Sequence, residues 1–449
     1  MKTKRNLIQL CLLGAVLVLP TVMNAQATFA PATNYTVGIL PYSVAAADVN
    51  GDGNVDLISA NESSGTLTIL TNNGSGSYGS NTTLHTSPGP VSVVVADVNG
   101  DGTADLICAC SVAGSVMVWT NSGNGGFANS GYYFMGGNSY PHMVMAVDVN
   151  GDGKVDFISA NNNSLAVFTN AGNGNFAAAS SPGVGSPSVS VAAADVNGDG
   201  NIDLIEANAY SLRVLTNGGN GTFFLCSTSA LPMNWPGRIT TVDLNGNGKV
   251  SVVVPDYDSG SGKTLVVLTN DGSGNFGSNA TYTVGNGPIY VIAADINGDG
   301  KEDLITANGA ASGTLTILTN NGGGFGFNCT LNAGSLSLGV VQAADVNGDG
   351  KLDLIASISS GTISVLLNTS IFPPPASTPT VNINPSGNEM RVSWPSASAG
   401  WSLQQNPDLT PTHWNPSGYS GYDISDNGTN KSLTIPSPSG NLFFRLFHP

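Results

Sequence analysis

Charged residues, cysteines and histidines are scarce in this chain. Asp, Glu, Lys and Arg together make up 9% of its 449 residues, against ~25% in an average globular protein. Only 13 Lys and Arg stand against 29 Asp and Glu, which gives a net charge of −16. This balance argues against nucleic acid as a partner, because phosphate backbones are bound by cations. The five cysteines and four histidines do not have the spacing of a zinc site.

Long apolar runs are also rare, and the exception lies at the N-terminus. The basic start MKTKR precedes an apolar run from Leu7 to Leu19, a pattern that predicts a secretory signal peptide over residues 1–25. Cleavage is expected after Ala25 or Ala27. No later stretch reaches the ~18 residues of a membrane helix. We therefore expect a secreted or cell-surface protein, monomeric and without a membrane span after cleavage.

The four cysteines beyond this leader do not form an obvious disulfide framework. Cys108 and Cys110 are two residues apart in a predicted strand and share one face of it, which is a poor geometry for a disulfide. Cys226 and Cys329 lie far apart in the chain. We expect all four to be small buried apolar side chains.

A ten-residue string that occurs seven times dominates the sequence. It begins at Asp48 as DVNGDGNVDL and returns, with small changes, at Asp97, Asp148, Asp195, Asp243, Asp295 and Asp345. The copies are 47 to 52 residues apart. A fixed period of this length indicates a solenoid, a propeller or an array of repeats.

Short apolar segments, bounded by Gly, Asn or Pro, accompany each copy. Around the first copy they are SVAAA (43–47), DLISAN (56–61) and GTLTILTN (65–72), and a Gly/Asn turn then leads to a fourth segment. None has a helical period, so all are predicted to be strands. Four-stranded units repeated radially form β-propellers of roughly four to eight blades. The chain is therefore predicted to be all-β.

The two ends of the repeat region complement each other. The seventh copy has a third strand segment, Gly361–Asn368, but no fourth. The orphan segment Ala27–Gly38 resembles Gly274–Gly285, which precedes the sixth copy. We therefore predict a seven-bladed β-propeller over residues 27–371, closed by the N-terminal strand. Such a ring leaves no long unpaired sheet edge.

Oxygen-bearing side chains occupy fixed positions of the repeated string. Position 1 is Asp, 3 is Asn, 5 and 9 are Asp, and position 7 can offer its backbone carbonyl. Calcium takes about six to eight oxygen ligands, often from alternating positions of a tight Gly-containing loop. Six copies therefore predict six calcium sites: Asp48, Asn50, Asp52, Asn54, Asp56; Asp97, Asn99, Asp101, Thr103, Asp105; Asp148, Asn150, Asp152, Lys154, Asp156; Asp195, Asn197, Asp199, Asn201, Asp203; Asp295, Asn297, Asp299, Lys301, Asp303; Asp345, Asn347, Asp349, Lys351, Asp353.

Metal-free hairpin turns are the alternative interpretation of these strings. A turn requires one or two such residues, however, and not acids at three fixed positions. A helical EF-hand does not fit, because position 12 of the first copy is Ser59 and not an acid. The fifth copy has Asp243, Asn247 and Ser251 at positions 1, 5 and 9, and we expect its site to be weak or empty.

The DxNGDGxxDL strings, their period and the GNGxF turns resemble the FG-GAP/VCBS repeats of integrin-α-type propellers, of the kind found in secreted bacterial proteins. The resemblance implies calcium on one face of a ring and a partner on the opposite face. It implies a non-catalytic binding or adhesion module for an extracellular protein or glycan. Some carbohydrate-active enzymes carry similar repeats, so a lectin or a polysaccharide-degrading enzyme that uses the opposite face is the alternative.

A second, smaller unit is expected after the repeats. Residues 372–379, FPPPASTP, are predicted to form a stiff linker. Residues 380–449 contain short strand-like segments and are predicted to form a small β-sandwich, loosely similar to immunoglobulin-like modules. Trp394, Trp401 and Trp414 could stack on sugars, although core packing is the simpler interpretation. Spacer, attachment and carbohydrate-binding roles stay open.

No catalytic set is evident in the sequence, and we expect no enzymatic activity. The fifth repeat nevertheless carries a candidate ligand rim, at the end of the repeat away from the metal loops: Trp235, Arg238, Asp256, Tyr257 and Asp258. An aromatic ring, an Arg and two acids could bind a sugar or a peptide, and paired carboxylates could act as acid and base on a glycan. A loop without a function is the alternative.

Overall fold

A computed structural model describes residues 26–136, 139–184, 188–244, 247–310, 313–370, 381–386, 389–395, 402–406, 424–426, 430–436 and 443–447. The predicted signal peptide and the predicted linker lie outside these residues. The described chain is all-β apart from a short 3₁₀ turn at Asp258–Gly260. No helix among the described residues is long and apolar enough to cross a membrane.

Each repeat folds into a four-stranded antiparallel sheet with its strands in chain order. Sheets 1 to 3 contain β2 (Pro41–Ala47), β3 (Asp56–Asn61), β4 (Thr66–Asn72), β5 (Tyr78–His85); β6 (Pro90–Ala96), β7 (Asp105–Cys110), β8 (Ser115–Asn121), β9 (Phe127–Phe134); β10 (Met143–Val147), β11 (Asp156–Ala160), β12 (Leu165–Asn170), β13 (Phe176–Ser180). Sheets 4 to 6 contain β14 (Ser188–Ala194), β15 (Asp203–Asn208), β16 (Ser211–Asn217), β17 (Phe223–Ala230); β18 (Thr240–Val242), β19 (Ser251–Pro255), β20 (Thr264–Asn270), β21 (Phe276–Thr283); β22 (Pro288–Ala294), β23 (Asp303–Asn308), β24 (Thr314–Asn320), β25 (Phe325–Asn332).

Sheet 7 combines the two ends of the repeat region. It contains β26 (Leu338–Ala344), β27 (Asp353–Ile358) and β28 (Thr362–Leu366). Its fourth strand is β1 (Thr33–Thr36), which pairs antiparallel with β28. The N-terminal segment therefore completes the last sheet, as the similarity between the two segments predicted.

The sheets contact one another in sequence through their first strands. Strand β2 contacts β6, each later first strand contacts the next, and β26 contacts β2 again. Small residues make this approach feasible, as in the Ala-rich end of β2. The fold is thus a propeller-like arrangement of repeated four-stranded sheets.

Apolar side chains between consecutive sheets form the core. Seven buried clusters occur in the described repeats, and each combines residues of two neighbouring sheets. In one of them, Leu57 of sheet 1 packs with Ile355 of sheet 7. The second strand of a sheet is buried along its whole length, as in β3 and β23. These strands therefore alternate less in polarity than a half-exposed strand would.

The expectation of four buried thiols is wrong for Cys226. All four cysteines are free; Cys108 and Cys110 are buried, Cys329 is half-buried and Cys226 is exposed. In the pairing of β16 with β17, Val214 faces Ser227 and Leu215 faces Leu225, which leaves Cys226 as the extra residue. A β-bulge of this kind interrupts the alternation of side chains, and the sequence pattern does not show it.

The C-terminal segment forms strands of its own. Strands β29 (Asn382–Ser386), β30 (Glu389–Pro395) and β33 (Asn430–Pro436) form one sheet with β32 (Ser425–Asp426), and β31 (Ser402–Asn406) pairs with β34 (Phe443–Phe447). Trp394 is buried in a cluster with Leu403 and Leu433, which agrees with core packing rather than sugar stacking. Trp401 and Trp414 lie outside the described residues, and the immunoglobulin-like sandwich stays a prediction.

Candidate functional site

The repeated strings connect the first and second strands of each sheet, and we call the six complete copies the acidic loops. In the loop of sheet 1, Asp48 accepts the backbone N–H groups of Gly51 and Gly53, both at 2.8 Å. Asn50 accepts the N–H of Asp52 at 2.9 Å. Both glycines have positive φ, 76° and 84°, a region that suits Gly. The position-1 Asp of the other five loops makes the same two bonds.

The Asp at position 9 is buried and joins two segments of its sheet. Asp56 is fully buried; its Oδ2 accepts the N–H of Val49 at 3.1 Å and its Oδ1 accepts the N–H of Asn72 at 2.8 Å. Equivalent pairs of bonds hold Asp105, Asp156, Asp203, Asp303 and Asp353. Position 9 thus ties the start of each loop to the end of the third strand.

Burial makes this carboxylate costly to ionise. Burial raises the pKa of Asp56 above its ordinary value, and the carboxylates of Asp52 and Asp48 raise it further, against two backbone hydrogen bonds that lower it. The same causes raise the pKa of Asp303 to about 7 and that of Asp353 to about 6. Three mutually repelling acids in one loop would be stabilised by a nearby cation.

The donor chemistry of the acidic loops fits a hard divalent cation, because every proposed donor is an oxygen atom. In three loops the position-7 Lys forms an ion pair with the position-5 Asp: Lys154–Asp152 at 3.5 Å, Lys301–Asp299 at 3.6 Å and Lys351–Asp349 at 3.3 Å. Exposed pairs of this kind are worth about 0–1 kcal/mol. No three Asp, Glu, His or Cys side chains among the described residues are gathered in a way that could hold a metal ion. Calcium therefore stays a prediction.

The fifth string keeps its turn without the full set of acids. Asp243 accepts the N–H groups of Asn247 and Gly248 at 3.2 and 2.7 Å. Position 9 is Ser251, which is buried. Asn245 lies outside the described residues. The weak or empty site expected here stays a prediction, and the turn shows that this loop can form with one acid.

An Asn that the sequence interpretation passed over links each loop to the neighbouring sheet. Asn72, the last residue of β4, donates from Nδ2 to the carbonyl of Val55 at 2.9 Å and to that of Val346, in the loop of sheet 7, at 2.7 Å. The equivalent bonds to the preceding sheet are Asn121–Val49, Asn170–Val98, Asn217–Val149, Asn270–Val196, Asn320–Leu244 and Asn368–Ile296. The signal was present in the sequence, since Asn ends the third strand of sheets 1 to 6 and follows that of sheet 7 by two residues.

A cavity of about 510 Å³ lies at the opposite end of the first strands. Every sheet contributes a residue at or just before the start of its first strand: Tyr42, Val91, His142, Ser188, Arg238, Ile289 and Gly339. Because the acidic loops follow the first strands, the cavity is on the other face, which we call the cavity face. Trp235, Tyr140, Tyr257, Asn162 and Glu62 also line it.

Arg238 crosses from sheet 5 to several other sheets within this cavity. Its side chain is 9% exposed. Nη2 donates to the carbonyl oxygen of His142 at 2.9 Å and approaches that of Val91 at 3.5 Å. The guanidinium carbon is 5.5 Å from the centre of the Tyr42 ring, a cation–π distance. The guanidinium is thus held at a fixed place in the cavity.

The predicted ligand rim is divided by the structure. Trp235, Arg238 and Tyr257 line the cavity, whereas Asp256 and Asp258 are not among its lining residues. Asp256 accepts a hydrogen bond from the Thr264 hydroxyl at 3.1 Å, and Asp258 accepts one from the Ser261 hydroxyl at 2.9 Å. The carboxylate of Asp258 is therefore bound within its own loop, and that of Asp256 is bound to the first residue of the following strand, β20.

Sequence reasoning did not identify Glu62, Tyr140, His142 and Asn162 as neighbours. His142 Nε2 is 2.6 Å from Asn162 Oδ1. Tyr140, His142 and Asn162 lie in two loops of the third repeat and Glu62 lies in a loop of the first, and no sequence pattern connects them. Loops of this face also carry large exposed apolar side chains: Ile39, Val112, Tyr140, Tyr210, Trp235 and Leu336.

A buried carboxyl group lies in sheet 4, beside the cavity wall. Glu206 is fully buried, and burial raises its pKa from 4.5 to about 7. The Ser188 hydroxyl and Arg213 lie close enough to favour its charged form. Within the described residues, however, neither Ser188 Oγ nor Glu206 Oε1 has a hydrogen-bond partner. Charging Glu206 therefore costs stability.

Glu206→Gln is expected to stabilise the protein at neutral and alkaline pH. The pKa of Glu206 is higher in the folded state than in the unfolded state. Burial of Glu206 therefore does not reduce the stability below about pH 4.5, where the group is protonated in both states, and this stability is lost as the pH rises through 7. Gln removes this loss, which amounts to at most about 3 kcal/mol. Urea unfolding of both proteins at about pH 4 and about pH 8 measures the difference. A gain of equal size at both pH values would contradict this account.

Comparison with known proteins agrees with the repeat and the fold. The model of the FG-GAP-like repeat matches residues 48–108, 97–159, 148–206, 195–254 and 295–356. BBS1N, solved in complex with ARL6DN, is similar with a TM-score of 0.58 and 13% identity, over 78% of this chain and 99% of that one. No curated protein matches the chain.

Two other solved structures were also matched. The β-propeller domain of Cps50 (Swd1) from Myceliophteria thermophila has a TM-score of 0.51 and 12% identity, over 76% of this chain and 99% of that one. A lectin from Agrocybe aegerita that recognises non-reducing terminal N-acetylglucosamine has a TM-score of 0.47 and 20% identity, over 72% and 86%. The repeat matches together span more than half of the 449 residues, and the chain belongs to the FG-GAP-like repeat family.

Proposed function

We propose that this chain is a secreted, non-catalytic binding module. Its seven sheets are the blades of one closed propeller, stabilised by calcium in the acidic loops. An extracellular protein or glycan binds on the cavity face. The observation that carries the proposal is the cavity of about 510 Å³ to which all seven sheets contribute.

The lining of the cavity supports a binding role. Ligand sites are concave, mostly apolar or aromatic, and carry a few placed polar groups. Here Trp235, Tyr140 and Tyr257 provide aromatic surface, while His142 and Glu62 provide polar groups. Trp235 is 40% exposed and Tyr140 45% exposed, so both are available to a partner. Exposed apolar surface of this kind marks interaction sites.

Calcium has a structural role in this proposal. The acidic loops lie on the face away from the cavity, so a bound ion would not contact the partner. It would neutralise the three acids of a loop and favour the bonds that position 9 makes to the third strand. BBS1N, which shares the fold, was solved with a protein partner, ARL6DN. The propeller fold is therefore compatible with protein binding.

Hydrolysis of a polysaccharide has less support. Glycoside hydrolysis generally uses two carboxyl groups that flank the scissile bond. Among the described lining residues of the cavity, Glu62 is the single acid. Asp258 is hydrogen-bonded to Ser261 of its own loop, and Asp256 to Thr264 of the following strand. A role without catalysis is consistent with this arrangement.

Trp235→Ala is expected to weaken partner binding by at least about tenfold or to abolish it, because exposed Trp side chains in pockets are frequent binding hot spots. Glycan and extracellular-protein arrays probed with both proteins in calcium measure the loss. Phe327→Ala is the matched control, since Phe327 is 67% exposed but lies on the outer strand β25, away from the cavity. Equal loss with both variants, unchanged binding with Trp235→Ala, or turnover of a glycan would contradict the proposal.

A further inference from the structure

The cavity is lined by a cationic side chain, Arg238, that has no anionic partner among the described residues. Arg238 is 9% exposed, and it forms no ion pair with any carboxylate in the described part of the chain. The guanidinium has five N–H donors in a fixed fork, and the bonds it makes to carbonyl oxygens use Nη2 alone. Buried charges in proteins are generally paired. An anionic group from outside the chain would complete this site.

The charges of the chain are distributed in a way that makes this cation unusual. The net charge is −16, and most acids are in the loops of the opposite face. Arg238 is the single Lys or Arg among the described lining residues of the cavity, and Glu62 is the single acid. The two are not an ion pair, so the guanidinium remains available.

The lining of the cavity also contains polar side chains that suit a sugar. His142 and Asn162 both line it, and His142 Nε2 is 2.6 Å from Asn162 Oδ1. Both side chains can exchange hydrogen bonds with hydroxyl groups. A ligand with hydroxyl groups would find this polar pair in the same cavity as the guanidinium.

We propose that the cavity binds a carboxylate-bearing saccharide, namely a uronic acid residue of an acidic glycan. The carboxylate binds the guanidinium of Arg238, because the fork of Arg matches a carboxylate. The sugar hydroxyls bind the polar pair of His142 and Asn162, and the apolar face of the ring packs on Trp235. This inference rests on the proposed binding function and specifies its ligand class.

Titration of the full chain with glucuronate and galacturonate, followed by calorimetry and by Trp fluorescence, tests the proposal. Glucose and galactose are the matched neutral ligands. Both uronates are expected to bind at least about tenfold more tightly than the neutral hexoses, since a charge-assisted bond is lost with the latter. Trp235→Phe is expected to remove the fluorescence change.

Variants at charged positions test whether the guanidinium of Arg238 binds the carboxylate. Arg238→Lys keeps the charge without the fork and is expected to weaken uronate binding by roughly ten- to hundredfold. Lys263→Met removes a cation that does not line the cavity and is expected to change nothing. Because Arg238 also binds the carbonyl of His142, unfolding midpoints are measured for each variant. Glu62→Gln leaves Arg238 intact and is expected to increase uronate affinity.

Three results would overturn the uronate proposal. They are equal binding of hexoses and uronates, absence of uronate binding to the folded chain, and preference for a peptide with a free C-terminal carboxylate. If Trp235→Ala still abolishes partner binding in that case, the proposed binding function stands and only the ligand class is wrong. If Trp235→Ala binds its partner normally, the binding function itself is wrong.

Discussion

Asn170→Ala is expected to lower the free energy of unfolding by about 2–4 kcal/mol, because it leaves buried backbone groups without partners. The Asn170 amide donates to the carbonyls of Val98 and Val155 at 2.8 and 2.9 Å. Its Oδ1 accepts the N–H of Gly172 at 2.8 Å. The residue is 4% exposed, so water does not readily replace these bonds. One substitution thus weakens both the turn of sheet 3 and its link to sheet 2.

Asn173→Ala is the matched control for this experiment. Asn173 lies in the same turn, after β12, is exposed, and accepts one bond, from the N–H of Asn175 at 3.2 Å. Its replacement is expected to change stability by no more than about 0.5 kcal/mol. Urea unfolding with a common m-value measures both variants. Similar small losses for the two variants would show that the link between sheets contributes little.

Excess EDTA is expected to lower the stability of the protein by several kcal/mol relative to millimolar calcium. Extracellular calcium modules have Kd values of ~10⁻⁴–10⁻³ M, so each site adds roughly 0.4–1.4 kcal/mol by mass action. Six sites together approach the whole net stability of a domain, about 5–15 kcal/mol. Removal of calcium is also expected to weaken the hydrogen bonds between neighbouring sheets. The position-9 Asp of each acidic loop accepts the backbone N–H of the Asn whose side chain makes the inter-sheet bond.

Thermal unfolding in EDTA, in calcium and after calcium is restored measures this effect, with magnesium as the control ion. Two variants at the same loop position sharpen it. Asp195→Asn alters a complete acidic loop. It is expected to reduce the stabilisation that calcium gives by the contribution of one site, ~1 kcal/mol. Asp243→Asn alters the loop of sheet 5 and is expected to leave the calcium effect unchanged. A melting curve that is identical in EDTA and calcium would rule out the metal.

The repeat made the strands and the acidic loops predictable, because each rests on local chemistry. Apolar segments bounded by Gly and Asn fold as strands, and Asp-Asn-Gly strings fold as turns whose side chains accept backbone N–H groups, as at Asp48. The completion of sheet 7 by β1 was predictable because Ala27–Gly38 resembles a fourth segment of the repeat. These inferences require comparison of one repeat with another and nothing from the rest of the chain.

The cavity and the inter-sheet links depend on distant contacts that no local pattern encodes. The turn after each third strand was recognised, but the bond from Asn72 to Val346 joins residues that are 274 positions apart. Arg238 could be identified as a candidate, yet its contact with His142 depends on the arrangement of whole sheets. Asp256 and Asp258 were grouped with Arg238 by sequence proximity, which does not report the direction of a side chain.

The pairing of β1 with β28 has a consequence for the order of events during biosynthesis. Thr33–Thr36 leaves the ribosome early, whereas its partner Thr362–Leu366 is made more than 300 residues later. At ~5–20 residues per second, the first strand waits many seconds for its place. Until then β1 has no partner strand of its own chain, and a chaperone or an identical nascent chain could pair with it.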